Sequence, residues 1–144
     1  MPAMTHEELE EFLRRPLVVA FTTIRGDGSP HVSPIWFEYD EGKFYCWVDA
    51  GSVKARNIRK NPSVALCIAT HDEPHKYVLA EGHCEIVREG VAERAYSIST
   101  RYYGAERGTE FARETMASGS SAIESGNSVL LVTTPTRLIT ESSA

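Results

Sequence analysis

The stretch LVVAFTTIRGDGSPHVSPIWFEYDEGKFYCWV, residues 17–48, decides the fold class. Three runs within it, 17–24, 31–39 and 43–48, are rich in β-branched and aromatic residues, which is the composition of β-strands. Two turns separate the runs, and in the first of them Asp27-Gly28 supplies the positive φ that a tight hairpin needs. The stretch therefore predicts a three-stranded antiparallel meander.

The sequence on both sides of the meander carries clear helix and strand signals. Thr5 and Glu8 form a capping box, which opens a helix that Pro16 closes. Ser52 is a good N-cap for a short helix over 54–60. The remaining signals predict strands at 64–69, 76–87 and 129–134, two helices within 89–116 joined at Gly104, a mobile loop at 118–127, and an extension of the last strand over 137–140 with Pro135 at an edge or bulge.

These elements define one domain, residues 1–144, because a chain of this length has no room for a second. About six short strands in hairpin order, with one short helix between the third and the fourth, predict a mainly β fold. We expect a closed or partly closed antiparallel barrel with flanking helices. In the strand at 76–87, Val78, Ala80 and Gly82 share one face, which is predicted to be buried.

The charge balance and the hydropathy exclude several classes of function. Fifteen Lys and Arg against twenty Asp and Glu give a net charge of −5, so the chain lacks the basic surface that nucleic-acid or anionic-membrane binding requires. The longest apolar runs have about five residues, far short of the roughly twenty that a membrane-spanning helix needs. The N-terminus is acidic and amphipathic rather than basic and then apolar, which predicts a cytoplasmic protein.

The sequence predicts no metal site and no catalytic nucleophile. Cys46, Cys67 and Cys84 are too widely spaced for a zinc knuckle and are expected to be reduced thiols of the core. A proline between His71 and His75 prevents the helical turn that would bring them to one ion. The histidines are scattered and no Gly-x-Ser-x-Gly elbow is present, so the catalytic residues stay unknown.

The segment 51–60 is the strongest candidate for a binding site. In an acidic chain it places four basic residues just after a glycine and a capping serine: Lys54, Arg56, Arg59 and Lys60. Unpaired amides at a helix N-terminus, with a hydroxyl and an ammonium beside them, form a cradle for a phosphate or a carboxylate. The alternative is that these bases are only the solvated face of a surface helix. Because no nucleophile accompanies the cradle, it suggests chemistry carried by a phosphorylated cofactor.

The order of these features resembles the pyridoxamine-phosphate-oxidase-like split-barrel family of flavin and deazaflavin reductases. The resemblance covers residues 5–135 and rests on Thr22-Thr23-Ile24 with the turn 26–31, Trp36, the helix motif Ser52-x-Lys54-x-x-Asn57-Ile58-Arg59-x-Asn61-Pro62, and Tyr77 before the long strand. It implies a six-stranded antiparallel split barrel that forms a homodimer, with two cofactors in the grooves between the subunits. It also implies that Ser52 and Lys54 hold the cofactor phosphate, supported by Asn57, and that the strand around 33–36 runs beside the tricyclic ring.

The resemblance further implies a particular cofactor and the residues that bind it. Where pyridoxamine phosphate oxidases carry basic residues, this chain has His31, Trp36 and Val53, which argues against oxidation of vitamin B6. The Ser-x-Lys-x-x-Asn form is closer to the branch that uses coenzyme F420, an 8-hydroxy-deazaflavin, and FMN is the alternative. The expected cofactor-binding residues are His31, Ser33, Pro34, Trp36, Ser52, Lys54, Asn57 and Tyr77.

The sequence is compatible with three functions. The first is an F420- or FMN-dependent oxidoreductase that transfers hydride to a small organic substrate, with a proton from solvent or from Tyr102 or Tyr103. The second is a non-catalytic carrier of FMN, haem or a bilin that uses the same groove. The third is a structural domain whose basic helix meets an acidic partner surface.

Overall fold

The computed structural model describes residues 2–117 and 127–143, so of the predicted mobile loop only Asn127 lies within the described residues. The helices are α1 His6–Leu13, α2 Val53–Lys60, α3 Val91–Tyr103 and α4 Ala105–Ala117. The strands are β1 Val19–Ile24, β2 Pro30–Ile35, β3 Glu38–Asp40, β4 Lys43–Asp49, β5 Ser63–Ala69, β6 Lys76–Val87 and β7 Ser128–Ser142. None of these described helices combines the length and the apolar character needed to cross a membrane.

The strands of the described residues form one antiparallel sheet in the order β2-β1-β5-β6-β7-β4-β3. Its two edge strands, β2 and β3, are neighbours in the sequence but lie at opposite ends of the strand order. Only two residues connect β2 to β3, so the sheet curls until these ends of its edge strands meet; the edges do not pair, which makes the architecture a split barrel. The mainly β split-barrel prediction is confirmed, with seven described strands instead of six.

The additional strand arises from a break within the second predicted strand. The prediction of one continuous strand over 31–39 is wrong, because Trp36 and Phe37 separate β2 from β3. The Phe37 N–H donates to the Tyr102 hydroxyl at 3.0 Å, and the Phe37 carbonyl accepts from Arg101 Nε at 2.9 Å. Since side chains of α3 satisfy this backbone, it needs no strand partner.

The last strand is longer than predicted and carries a bulge. β7 pairs with β6 along most of its length and with β4 over its first half. The register with β6 shifts next to Gly82, whose partner is Pro135, and leaves Thr136 as an extra residue on β7. Pro135 has no N–H to contribute to the ladder, so its predicted place at a bulge is confirmed.

Apolar side chains fill the barrel interior and cover part of its outer surface. The predicted buried face of β6 is buried: Val78 and Ala80 have no exposed surface. Outside the barrel, α3 lies over the start of β7, where its Val91 packs against Leu130 and Val132. The largest fully buried side chains include Phe21, Phe37, Phe44, Leu66, Ile68 and Leu131.

The three cysteines are free thiols, but they do not share one environment. Cys46 and Cys84 are buried in the barrel, whereas Cys67 on β5 is only half buried. Burial raises the pKa of Cys84 to about 12, so this thiol stays protonated at neutral pH and packs as a small apolar group. The prediction of core thiols therefore holds for two of the three.

Candidate functional site

The N-terminus of α2 has the local geometry of an anion cradle. Ser52 is the N-cap, and its Oγ accepts a hydrogen bond from the Ala55 amide at 3.3 Å, as predicted. Because this hydroxyl acts as the acceptor in the cap, its proton remains available to a ligand. The amides of Val53 and Lys54 lie in the first turn, where the helix offers them no carbonyl acceptor. An oxyanion in front of this turn would meet a hydroxyl and two amides.

Lys54 is the basic residue of α2 that lies nearest to the barrel interior. Its side chain is half buried. Burial raises the pKa of the Cys46 thiol on β4, and the Lys54 ammonium opposes this rise. The ammonium is therefore within electrostatic range of the buried face of β4.

The other three bases of α2 serve the helix and its surface. Arg59 donates to the Ala50 carbonyl at 2.8 Å and so braces the loop that leads into the helix. Arg56 and Lys60 are exposed. The interpretation as a solvated face therefore holds for Arg56 and Lys60, whereas the half-buried Lys54 stays the candidate for the cradle.

Asn57 fastens α2 to the sheet. Its Nδ2 donates to the Thr23 hydroxyl at 3.0 Å, and Thr23 is fully buried on β1. Thr23 pairs in register with His31 on β2. This hydrogen bond links the cradle to the strand pair that carries the predicted ring-binding residues. Sequence reasoning did not select Thr23, although it stands within the quoted Thr22-Thr23-Ile24 motif.

The inner side of β2 presents polar atoms that have no partner. His31, Ser33 and Ile35 face the same side as the buried residues of β1 opposite them, while Pro34 and Val32 face outward and are exposed. Within the described residues, His31 Nδ1 and Ser33 Oγ are enclosed from solvent without a hydrogen-bond partner. Buried polar atoms are nearly always paired in native proteins, so these two fit a ligand with polar atoms on its edge.

Trp36 stands at the end of β2 in an aromatic cluster. Its indole stacks on the Tyr102 ring, with centroids 4.6 Å apart and planes 6° apart. Tyr103 meets it edge-on at 5.1 Å, and Phe111 of α4 lies 5.8 Å away. We call Trp36, Tyr102, Tyr103 and Phe111 the aromatic cluster. The sequence shows aromatic residues at all four positions but contains no local signal that α3 and α4 bring three of them to Trp36.

Tyr102 is a structural residue rather than a proton donor. Its hydroxyl donates to the Leu17 carbonyl at 2.6 Å and accepts from the Phe37 N–H at 3.0 Å. Burial raises the pKa of the Tyr102 hydroxyl, which therefore keeps its proton more firmly. The hydroxyl proton is thus committed to the backbone, which corrects the expectation that Tyr102 supplies a proton. Tyr103, 43% exposed, remains the candidate of the two.

Tyr77 lies apart from the other predicted residues within one chain. It is on the face of β6 opposite to the buried Val78, and β1 and β5 separate β6 from β2. The Tyr77 hydroxyl donates to Glu141 Oε2 at 2.5 Å, and this hydrogen bond raises the Tyr77 pKa. Tyr77 therefore shares a sheet face with Pro34 and not with His31 or Ser33.

The outward side of β1, β2, β5 and β6 is unusually apolar for an exposed sheet. Val32 is 63% exposed and Val18 is 50% exposed, and Ala20 and Pro34 beside them are exposed as well. Register places the half-buried side chains of Cys67 and Leu79 on the same side. We call this surface the outer apolar face; it consists of Val18, Ala20, Val32, Pro34, Cys67 and Leu79.

The described residues hold no metal-binding group of three or more His, Cys, Asp or Glu side chains. Polar side chains come together in two places: Arg94 and Ser97 of α3 bond to Glu38 and Asp40 of β3, and a second set lies on α2, β1 and β2. In this arrangement Ser52 and Lys54 stand at one end, Asn57 and Thr23 connect them to the sheet, and His31 continues the line. This row of residues suits a ligand with an anionic end, bound by hydrogen bonds rather than by covalent chemistry.

Comparisons with known proteins identify the family and the fold. The family model described as pyridoxamine 5'-phosphate oxidase matches residues 5–139. A solved structure described as an F420 reductase is 28% identical, with 90% of this chain and 94% of that chain covered and a TM-score of 0.71. No curated protein matches the chain.

Two further solved structures share the fold at lower identity. A conserved hypothetical protein from Mycobacterium tuberculosis is 23% identical, with 97% of this chain and 86% of that chain covered and a TM-score of 0.77. A protein from Mycobacterium smegmatis that binds FAD and heme is 14% identical, with 96% and 71% covered and a TM-score of 0.72. At these identities the similarity concerns the fold alone.

Proposed function

The chain belongs to the pyridoxamine 5'-phosphate oxidase family, and we propose that it is a cytoplasmic oxidoreductase with a phosphorylated flavin-type cofactor that transfers hydride to a small organic substrate. The observation that carries the proposal is the pair of unpartnered, enclosed atoms His31 Nδ1 and Ser33 Oγ on β2, the strand that pairs with β1, to which Asn57 connects the Ser52 cradle. Coenzyme F420 is the favoured cofactor and FMN the alternative. The similarity to a structure described as an F420 reductase supports this order.

Different residues of the row would bind different parts of the cofactor. The Ser52 hydroxyl, the first-turn amides of α2 and the Lys54 ammonium would hold the phosphate. His31 and Ser33 would bond to polar atoms of the ring, which relieves their unpaired state. When bound, the cofactor supplies hydride chemistry that no side chain can provide. The protein contributes orientation and exclusion of water, and Tyr103 or solvent provides the proton.

A homodimer is part of the proposal, since the outer apolar face lacks any cover within the described chain. A second copy of this chain is the occupant that the family resemblance implies. Pairing through the outer apolar face would bury Val32, which is 63% exposed in the single chain, and Val18, which is 50% exposed. Because Tyr77 and Pro34 lie on this side of the sheet, the two would belong to the subunit interface.

The dimer can be tested at Val32. Threonine has nearly the shape of valine and suits a strand equally well, but it would place two unpaired hydroxyls in the interface of each dimer. We expect Val32→Thr to weaken self-association by about tenfold. Sedimentation velocity over a concentration series measures this. The matched control is Val53→Thr, because Val53 is exposed on α2 and is not one of the residues of the outer apolar face. A monomeric wild-type protein would contradict the proposal.

The cofactor is tested by parallel fluorescence titrations of purified, cofactor-stripped protein with F420 and with FMN. An absorbance scan of the untreated preparation comes first. We expect micromolar or tighter binding of F420, weaker binding of FMN, and oxidation of the reduced cofactor by members of a panel of enones and quinones. A Soret band in the untreated preparation would instead favour the carrier function. Binding of neither cofactor in a colourless preparation would remove the oxidoreductase proposal.

A further inference from the structure

The helix that carries the cradle, α2, has few attachments to the barrel. It is 8 residues long, and its buried side chains are Ala55 and Ile58. Apolar burial is non-directional, so these two contacts hold the helix against the sheet without fixing its position along its own axis. The hydrogen bond from Asn57 Nδ2 to the Thr23 hydroxyl, at 3.0 Å, is directional. The place of the α2 N-terminus relative to the sheet therefore depends on this bond.

Thr23 stands between α2 and the unpartnered polar atoms of β2. Its side chain is fully buried on the inner face of β1. It pairs in register with His31, and Ser33 belongs to the next pair on the same face. Side chains directly opposite each other on one sheet face are about 5 Å apart. Thr23 is thus bonded to α2 on one side and adjacent to His31 on the other.

We infer that Thr23 is a positioning residue: its hydroxyl holds α2 so that the Ser52 cradle stands at a fixed distance from His31 and Ser33. The inference rests on the proposed function, because the cradle and the inner side of β2 are taken to bind two parts of one cofactor. A ligand that must reach both places binds tightly only when their separation is set before it arrives. Thr23 acts through Asn57 rather than on the ligand.

The matched pair Thr23→Val and Thr23→Ser separates the role of the hydroxyl from that of packing. Valine keeps the shape of threonine but removes the partner of Asn57, whereas serine keeps the hydroxyl and removes a buried methyl group. We expect Thr23→Val to raise the dissociation constant for F420 about fivefold and Thr23→Ser to leave it within about twofold of the wild-type value. A residue that only fills the core would give the reverse order, because the lost methyl group would then matter more.

A comparison of two flavins shows whether the effect passes through the cradle. FMN and riboflavin differ only in the phosphate, so the ratio of the riboflavin to the FMN dissociation constant measures what the cradle contributes. Thr23→Val should lower this ratio about fivefold, and Thr23→Ser should keep it. Thr133→Val is the control and should also keep it, since Thr133 on β7 is equally buried but lies beside Cys84.

A second readout needs no cofactor. Amide hydrogen exchange reports local opening of a helix, so Thr23→Val should speed the exchange of the α2 amides several-fold and leave that of β5 unchanged. Thr23→Ser and Thr133→Val should leave both elements as they are in the wild type. A protein that shows this pattern but binds neither F420 nor FMN would defeat the proposed function and not the positioning of α2.

Two results would overturn the inference in a protein that binds the cofactor. The first is a folded Thr23→Val variant with the wild-type ratio of riboflavin to FMN dissociation constants, whatever the exchange of its α2 amides. The second is a loss of F420 affinity in Thr23→Ser as large as that in Thr23→Val, since the hydroxyl would then not be the group that matters. Far-ultraviolet circular dichroism of each variant confirms that it is folded before binding is measured.

Discussion

Gly82→Ala is expected to lower the free energy of unfolding by about 3 kcal/mol. A Cβ at this position would lie 2.2 Å from the Thr134 carbonyl oxygen and 2.9 Å from the Pro135 Cα. Both are backbone atoms of β7, so no side-chain rotation can make room. The bulge would have to shift, and hydrogen bonds between β6 and β7, an interior pair of the sheet, would be strained.

Gly26→Ala is the control for this change. Gly26 lies in the exposed turn between β1 and β2 and does not have a positive φ, and a Cβ added there would meet no atom within 4 Å. The free energy of unfolding of this variant should stay within about 0.5 kcal/mol of the wild-type value. Urea denaturation followed by circular dichroism measures both variants. Equal stability of the two would show that β7 adapts to the extra carbon at little cost.

Lys54→Ala is expected to weaken cofactor binding roughly 10- to 100-fold, the effect of losing one charge-assisted hydrogen bond to a phosphate. Lys54 is half buried, whereas the other three basic residues of α2 are exposed, so solvent screens its charge less than theirs. Fluorescence titration with F420 gives the two dissociation constants. If the basic helix only meets an acidic partner, the wild-type protein has no such affinity to lose.

Lys60→Ala is the matched control, since Lys60 is an exposed lysine at the opposite end of the same helix. It removes the same charge from the chain, so any general electrostatic attraction falls equally in both variants. We expect its dissociation constant to stay close to that of the wild type at 0.15 M salt, where exposed charges are screened over about 8 Å. A similar loss in both variants would contradict a specific role for Lys54.

Local features of the fold were predictable because each depends on a few neighbouring residues. The Thr5 capping box and the Ser52 cap are both present, and Gly28 has the positive φ that the hairpin requires. The alternation of small residues in β6 identified its buried face. Pro135 indicated an irregularity in the last strand because proline cannot donate to a ladder.

Features that depend on contacts distant in sequence were not predictable in this way. The break at Trp36-Phe37 exists because Arg101 and Tyr102 satisfy its backbone, and these residues are more than sixty positions away. Trp36 and Phe37 are aromatic residues, which strands favour, so strand propensity gave no indication of the break. Tertiary hydrogen bonds outweighed the local preference at this point.

In the candidate site, too, the local features were predictable and the contacts between distant segments were not. The spacing of Ser52 and Lys54 predicted the cradle because a helix start is a local structure. The Asn57 to Thr23 hydrogen bond, by contrast, joins α2 to β1 and could not be read from either segment alone. Tyr77 was grouped with the other residues by resemblance, and its place on the opposite sheet face follows from the pairing register of four strands.

The place of β7 between β6 and β4 has a consequence for the synthesis of the protein. As the chain leaves the ribosome, the long edge of β6 and the edge of β4 are complete before the strand that pairs with both of them exists. Until residues 128–142 emerge, the nascent chain carries two unpaired edges rich in apolar residues, which is the condition under which polypeptides aggregate. Nascent chains that stall before residue 128 are therefore expected to depend on chaperones.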